Sequence, residues 1–309
     1  MLGDRNSYVK AVDECIPCIL RKAKTILERT EVENSDEIVQ EIETQLISLS
    51  LADTWLLSRS TTGLCPAQFG SIRQQILEKY GYGNTYLREK QFGQQMGKQF
   101  YSQLSGRKVS WVDALIYSLI GNGMEFDPKG EYREIQLQQL LEEKEKIHNN
   151  SSSVIELSTL AFILENKDPG NLVFIFDNAG EEYFDLPLLE NFAKRGWSLT
   201  GIIKGGPVLN DLSVEDEMDL PVEMSIHSTG GSEVGIFLSK IPDDIGEMLD
   251  NADLIISKGM ANFETLSSEV LSTECLYLLK AKCEPVANIT GNKLNDYVFK
   301  LQEGGKPWL

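Results

Sequence analysis

The spacing of apolar residues divides the chain into two parts with different predicted structure. In the first part, apolar side chains recur at intervals of three and four residues, the period of an amphipathic helix. Three segments show this pattern: Ile38, Ile42, Leu46 and Leu49; Phe92, Met96, Phe100 and Leu104; and Val112, Leu115, Ile116 and Leu119. No convincing strand-like alternation occurs before about residue 150. We therefore predict a helical N-terminal domain over residues 1–155.

The pattern changes after the polar run HNNSSS at residues 148–153. Short apolar runs then alternate with segments of helical character. The predicted strands are LVFIF, SLTGIIK, DLIIS and CLYLL, and the predicted helices between them are DLPLLENFAKRG and LSVEDEMDL. Runs that are apolar throughout are typical of strands covered on both faces, as in parallel sheets. We therefore predict a Rossmann-like, three-layer α/β/α domain with a parallel sheet over residues 156–309.

Composition and charge narrow the class of protein and its partners. The chain has 309 residues, of which 41% are hydrophobic and 25% are charged, as in soluble globular proteins. It contains no run of about 18 apolar residues and no apolar secretory signal near residue 1, so we expect a cytoplasmic protein without a membrane partner. The formal net charge of -18 argues against binding to nucleic acid or anionic membranes. A small anionic substrate would need a local metal ion or lysines.

Polar residues follow the predicted strands, at the sheet edge where α/β proteins bind ligands. The four strand ends carry Asp177, Asn178, Gly180 and Glu181; Lys204, Gly205, Gly206, Asn210 and Asp211; Ser257, Lys258, Gly259 and Asn262; and Lys280, Lys282 and Cys283. If the strands are parallel, these residues project toward one edge. A single strand-end acid is also a common helix cap, and Lys-Gly-Gly is a common turn. Their recurrence at several strand ends favours a binding site.

The residue types indicate the chemistry of that site. Carboxylate and amide oxygens are hard ligands that suit Mg²⁺ or Mn²⁺ better than zinc. The glycines of KGGP and KGM would let the backbone approach an anion, and helices beginning there would present free N–H groups. Lys204 or Lys258 would then hold a phosphate. We therefore predict a divalent metal site beside a phosphate site.

Four segments, in this order, resemble the metal-dependent damage-control phosphatases, also known as domain of unknown function 89. They are FDNAGEEYFDLPLL, IIKGGPVLNDLSVEDE, DLIISKGMANFETL and LLKAKCEPVA, and the stretches CIPCILRKA and TGLCPAQFG extend the resemblance into the first half. The resemblance implies a helical part joined to an α/β domain. It also implies hydrolysis of phosphate monoesters of small metabolites, such as sugar phosphates or damaged phosphorylated cofactors, aided by Mg²⁺, Mn²⁺ or a similar ion.

The resemblance also implies roles for individual residues. The metal ligands would be Asp177, Asn178 and Asp211, and Lys258 would bind the phosphate. Asp177 or Asp211 would orient or deprotonate the attacking water, so the implied catalytic residues are Asp177, Asp211 and Lys258. The resemblance implies a more weakly supported role as substrate-pocket lining for Lys204, Asn210, Glu181, Asn262 and Lys282. Gly205, Gly206 and Gly259 are predicted phosphate-binding residues because a glycine backbone can approach an anion. The family motif often reads KGQGNFE, whereas this chain has KGMANFE, which changes the polar contacts of that loop.

The chain has five cysteines, an odd number that argues against a disulfide framework. Cys15 and Cys18 begin a predicted helix, with Pro17 in its first turn. A structural or incidental role is favoured slightly, and the alternative is a soft-metal or redox site formed by Cys15, Cys18 and Cys65, with Cys283 as a further candidate. Similar cysteines are typical of one branch of the family, which includes archaeal members.

Other functions compete with the phosphatase. A methyltransferase acting on protein carboxylates would need a pocket for S-adenosylmethionine, and no glycine-rich signature for one is present. A non-catalytic protein that binds phosphorylated metabolites would show binding without turnover. With two histidines and no G-x-S-x-G motif, a Ser-His-Asp hydrolase is disfavoured, as are P-loop and GxGxxG nucleotide sites. The motifs fix neither the physiological substrate nor the oligomeric state.

Overall fold

The computed structural model describes residues 9–56, 64–104, 106–124 and 136–308, and within them helices precede a single sheet. The helices before the first strand are α1 (Cys15–Arg29), α2 (Ser35–Leu56), α3 (Pro66–Lys79), α4 (Leu87–Leu104), α5 (Trp111–Gly121), α6 (Gln136–Asn149) and α7 (Ser151–Asn166). The later elements are β1 (Asn171–Ile175), α8 (Glu182–Lys194), β2 (Ser198–Ile203), β3 (Ser225–Ser228), α9 (Asp243–Asp250), β4 (Leu254–Lys258), α10 (Met260–Leu266), β5 (Cys275–Lys280), α11 (Glu284–Thr290) and β6 (Tyr297–Gln302).

The three predicted helical stripes lie on α2, α4 and α5, and each stripe packs into a hydrophobic core. Local signals explain where two of the helices begin. The side chain of Ser110 caps α5 by accepting a hydrogen bond from the Asp113 N–H at 3.0 Å. Helix α3 begins at Pro66, a residue suited to the first helical position because it has no N–H to leave unpaired. The helical periodicity of the first half is confirmed for these segments.

The six strands form one sheet in the order β3-β2-β1-β4-β5-β6. Strands β1 to β5 are parallel, as predicted, whereas β6 runs antiparallel to β5. Strand β6 was not predicted from the sequence. Its sequence, YVFKLQ, mixes polar and apolar residues because the strand lies at the edge of the sheet and is only partly buried.

Alternate residues of the central strands enter two different hydrophobic clusters. Leu172 and Phe174 pack with residues of α4, α5, α7 and α8, whereas Val173 and Ile175 pack with residues of α9, α10 and α11. This alternation follows from the period of two in an extended strand. The protein is therefore a mixed α/β fold with a mostly parallel sheet. Its description as a Rossmann-like, three-layer domain stays a prediction.

The prediction of a helix at LSVEDEMDL was wrong. Ser213 donates hydrogen bonds from both its backbone N–H and its hydroxyl to Oδ2 of Asp216, each at 2.8 Å, and Lys90 Nζ contacts the same oxygen at 2.7 Å. Serine and aspartate side chains that bond the nearby backbone in this way compete with helical hydrogen bonds. The segment therefore forms bridges and turns beside β2.

The predicted domain boundary at residue 155 falls inside helix α7. The two parts of the chain also share a core, in which the ring of Phe100 on α4 stacks on Phe184 of α8 with centroids 4.0 Å apart. The division into two domains stays a prediction. Among the helices that the structure describes, none is both long and apolar enough to cross a membrane.

Candidate active site

The backbone brings the ends of β1 and β2 together. Asn178 and Asp211 form an antiparallel bridge, the Leu212 N–H donates to the Asp177 carbonyl at 2.7 Å, and the Ala179 N–H donates to the Asn210 carbonyl at 2.9 Å. The two acids are far apart in sequence, but these hydrogen bonds fix their segments side by side. The structure therefore brings together Asp177, Asn178 and Asp211, the three residues that were predicted to bind the metal.

Four acids, the half-buried Asp177 and the buried Glu181, Asp185 and Asp211, form what we call the carboxylate floor. Asn122, a buried residue at the end of α5, holds two of them: its Nδ2 donates to Asp177 Oδ2 at 2.8 Å and to both oxygens of Glu181 at 3.1 Å. Its Oδ1 accepts from the Lys280 N–H at 2.9 Å. Asn122 was not predicted from the sequence, although a polar residue two positions after the apolar run VDALIYSLI was a usable signal.

The amide of Asn178 is oriented by the same acids. Its Nδ2 donates to Glu181 Oε1 at 2.6 Å and to Asp177 Oδ2 at 2.9 Å. Because both bonds use the nitrogen, Oδ1 of Asn178 is left as an acceptor for another group. The bonds that Asp177 accepts from Asn122 and Asn178 likewise run to its Oδ2. Hydrogen bonds thus hold Asp177 through Oδ2 and Asn178 through Nδ2, and Oδ1 of each residue is oriented to accept a cation.

Gly259 makes room for this arrangement. An added Cβ at Gly259 would lie 2.1 Å from Cγ of Asp177, and its φ of +82° is a conformation that favours glycine. Helix α10 begins directly after Gly259, as predicted for the KGM segment. The group that approaches the glycine backbone in the structure is the carboxyl of Asp177.

Lys258 lies beneath the carboxylate floor with no exposed side-chain surface. Its Nζ contacts Asp185 Oδ1 at 2.6 Å, the Ser118 carbonyl at 2.7 Å and Glu181 Oε2 at 3.5 Å. The hydroxyl of Ser118 also donates to Asp185 Oδ1, at 2.5 Å. These protein groups occupy the ammonium of Lys258, and its predicted contact with phosphate stays a prediction.

Three carboxyl groups of the floor have raised pKa values, and burial is the largest cause of each rise. Burial, and then the charges of Glu181 and Asp211, raise the pKa of Asp177 to about 8. Burial raises the pKa of Asp185 to about 6, although the charge of Lys258 opposes the rise. Burial also raises the pKa of Asp211, against the charge of Lys204. The floor therefore favours an additional cation.

A hard divalent ion fits these donors. Asp177, Asn178 and Asp211 offer two carboxylates and an amide oxygen, the ligand types that Mg²⁺ and Mn²⁺ prefer. Within the described residues, no three His, Cys, Asp or Glu side chains are arranged to hold a metal, so the predicted set depends on the amide of Asn178. The fit rests on oxygen chemistry and on the raised carboxyl pKa values.

The KGGP segment does not begin a helix, which corrects the prediction of free N–H groups at a helix start there. The Gly205 N–H donates to the Gly231 carbonyl at 3.0 Å, and an added Cβ at Gly205 would lie 2.4 Å from Gly230 C, so this segment packs against the loop after β3. Gly206 faces Ser232 in the same loop. Lys204 Nζ donates to the Gly235 carbonyl at 2.5 Å and lies 3.8 Å from Asp211 Oδ2.

The other predicted lining residues differ in their surroundings. Asn262 is buried, and its Nδ2 donates to the carbonyls of Lys258 at 2.8 Å and Phe176 at 3.2 Å, which ties the ends of β4 and β1 together. Lys282 is exposed, and its charge acts on Asp177. Asn262 therefore supports the floor, whereas Lys282 is accessible to a solute.

Cysteines from distant parts of the sequence lie around Glu264. Cys15 and Cys65 are buried, Cys283 is half-buried, and Cys18 is exposed. Burial, and in addition the charge of Glu264, raises the pKa of Cys65 and of Cys283 to about 12. Thiols with raised pKa values are poor nucleophiles. The predicted soft-metal or redox site of Cys15, Cys18 and Cys65 stays a prediction.

Comparison with known proteins identifies the family. The sequence matches the family described as damage-control phosphatase ARMT1-like domain over residues 11–298. A damage-control phosphatase from Archaeoglobus fulgidus is 31% identical over 245 residues, which cover 75% of this chain and 81% of the relative. One from Pyrococcus horikoshii is 29% identical over 286 residues, which cover 90% of this chain and 93% of the relative. The crystal structure of a DUF89 family protein from Pyrococcus horikoshii superposes with a TM-score of 0.72 at 26% identity, covering 96% of this chain and 99% of that one. The chain therefore belongs to the damage-control phosphatase ARMT1-like domain family.

Proposed function

We propose that this protein is a metal-dependent phosphatase that hydrolyses phosphate monoesters of small metabolites, such as sugar phosphates or damaged phosphorylated metabolites and cofactors. The observation that carries the proposal is the backbone pairing of Asn178 with Asp211, which sets oxygen donors side by side at the carboxyl edge of a parallel sheet. Relatives named damage-control phosphatases support the same reaction class. Metabolite repair would be its cellular role.

In the proposed mechanism, Asp177, Asn178 and Asp211 hold a Mg²⁺, Mn²⁺ or similar ion. When bound, the ion supplies Lewis-acid stabilisation of phosphoryl charge and lowers the pKa of a water molecule. Asn122 fixes the orientation of Asp177, and Asp177 or Asp211 orients or deprotonates the attacking water. Lys258 balances the charge of Glu181 and Asp185, and in this proposal it would also contact the phosphate.

The test is turnover of p-nitrophenyl phosphate with added Mn²⁺ or Mg²⁺ in wild type, Asp177→Ala and Asp211→Ala. Loss of a proposed ligand should lower kcat/KM by at least about 100-fold, because loss of a residue that only supports a ligand costs 10- to 100-fold. Asp244→Ala, an exposed acid at the start of α9, is the matched control and should keep full activity. Equal activity in all four proteins would refute the proposal.

The physiological substrate requires a separate measurement. A panel of phosphorylated metabolites, assayed with several divalent ions, should give one substrate class with kcat/KM well above that of p-nitrophenyl phosphate. Tight binding of a metabolite without release of inorganic phosphate would instead indicate a binding protein.

A further inference from the structure

Arg73 is a buried cation with an unused hydrogen-bonding edge. It lies on α3 with 1% of its surface exposed, and its Nε and Nη2 have no hydrogen-bond partner among the described residues. These two nitrogens share one edge of the guanidinium, the edge that binds two oxygens of a carboxylate or phosphate at once. An unpaired buried charge is costly. The orientation of Arg73 therefore points to an oxyanion ligand.

Helix α3 places this arginine beside the candidate active site. Gln74 Nε2 donates to the Pro207 carbonyl at 2.8 Å, and the Val234 N–H donates to the hydroxyl of Ser71 at 3.0 Å. The residues on either side of Arg73 are thus bonded to the loops that follow β2 and β3. The charge of Asp211, one of the proposed metal ligands, acts on the guanidinium.

Two lysines complete a positive surface that we call the cation wall: Lys22 on α1, Arg73 on α3 and Lys282 after β5. In the part of the chain that the structure describes, neither Lys22 nor Lys282 has a salt bridge, and both are exposed. Desolvation by neighbouring residues, and then the charges of Arg73 and Lys282, lower the pKa of Lys22. Three cations thus lie close together in a chain with a net charge of -18. Their mutual repulsion would be relieved by an anion.

We propose that the cation wall binds the phosphoryl group of the substrate, with the Nε and Nη2 edge of Arg73 on two of its oxygens. The inference rests on the proposed function and extends it. The carboxylate floor faces the same space, because Asp211 acts on both Arg73 and Lys22 and Lys282 acts on Asp177. The floor would hold the metal from one side, and the wall would hold the phosphate from the other.

Calorimetric titration with inorganic phosphate tests the wall without requiring turnover. Arg73→Lys keeps the positive charge but loses the two-nitrogen edge, and it should weaken phosphate binding at least 10-fold. Lys22→Gln should weaken it severalfold, whereas Lys24→Gln, an exposed lysine on the same helix, should leave it unchanged. Mn²⁺ affinity should be equal in all of these proteins. Unchanged phosphate affinity in both Arg73→Lys and Lys22→Gln would overturn the inference.

A stability measurement covers the case in which the buried Arg73 variant folds poorly. Phosphate should raise the Tm of wild type and of Lys24→Gln, and raise it less for Lys22→Gln, whose exposed side chain can be removed without a cavity. An equal phosphate-induced rise in Lys22→Gln and wild type would count against the wall.

Turnover separates this inference from the proposed function. Phosphate binding that depends on Arg73 in a protein without metal-stimulated activity would refute the proposed function and leave the wall standing. Metal-stimulated activity in a protein whose phosphate affinity does not depend on Arg73 would support the proposed function and refute the cation wall. An Arg73→Lys variant with unchanged KM for p-nitrophenyl phosphate but raised KM for bisphosphates would also overturn the inference, because the wall would then bind a second anionic group.

Discussion

The carboxylate floor and the cation wall are built in opposite ways. In the floor, Asn122, Asn178 and Lys258 supply hydrogen bonds and charge to the acids, and the backbone of β1 pairs with the segment after β2. In the wall, Arg73 has two unpartnered nitrogens within the described residues. The comparison indicates that protein contacts alone order the proposed metal ligands. In the cation wall, by contrast, the hydrogen bonds of Arg73 would be completed by the bound phosphoryl group. Three changes test this difference, beginning with the largest expected effect.

Lys258→Met should destabilise the protein by about 3–5 kcal/mol, because it leaves Asp185 and Glu181 buried without their cation. Denaturant unfolding of the two proteins measures the effect. The double variant Lys258→Met/Asp185→Leu should lose less stability than Lys258→Met alone, since it removes one uncompensated charge as well. A Lys258→Met protein as stable as wild type would show that the floor does not need its lysine.

Glu264 is a buried acid that forms no salt bridge with a lysine among the described residues, and its pKa shows the effect of burial. Burial raises its pKa to about 8, and the Ala67 N–H is a hydrogen-bond donor to it. The unfolded chain releases this proton near pH 4.5, whereas the folded chain keeps it up to about pH 8, so folding becomes less favourable as pH rises between these values.

Glu264→Gln should remove this pH dependence. Relative to the variant, wild type should lose about 3 kcal/mol of stability between pH 5.5 and 8, at about 1.4 kcal/mol for each pH unit. Denaturant unfolding at several pH values gives the difference. Parallel pH profiles for the two proteins would contradict the raised pKa of Glu264.

Gly259→Ala should have a smaller effect on stability, about 2 kcal/mol, but should also weaken Mn²⁺ binding because the new methyl group would displace the carboxyl of Asp177. Gly291→Ala is the control for a positive φ without a steric clash. Gly291 is in the left-handed helical region, with φ +70° and ψ +22°, where an alanine is less strained than at Gly259, and an added Cβ there meets nothing within 4 Å. Equal Mn²⁺ affinity in the two variants would contradict the prediction that a side chain at Gly259 displaces the metal-binding carboxyl of Asp177.

The sequence predicted the parts of the fold that depend on local pattern. The apolar runs before Asp177, Lys204, Lys258 and Lys280 are parallel strands, and their ends meet at one edge. The hydrophobic pattern gave a wrong or missing element where side-chain hydrogen bonds or an edge position in the sheet determines the local structure. Ser213 and Asp216 replace helical hydrogen bonds with a turn, and the edge strand β6 lacks a continuous apolar run.

The site was only partly predictable because its supports come from the helical half. Asn122 and Ser118 contact acids that lie more than 50 residues away in sequence, and no local rule pairs them. Arg73 left a faint signal: it lies on the same helical face as Phe69, Ile76 and Leu77, all of which are buried. A cation in an apolar stripe is unusual enough to justify attention.

The bridge between Asn178 and Asp211 has a consequence for how this protein can diversify. The bridge is made by backbone atoms that lie outside α1 and α3, so the spacing of the two ligands should tolerate substitutions in those helices that keep the hydrogen bond from Gln74 to the Pro207 carbonyl. Helices that carry Lys22 and Arg73 can therefore be altered to admit differently shaped molecules while the reacting centre keeps its geometry. A library of variants confined to those two helices is the natural starting point for changing what the protein acts upon.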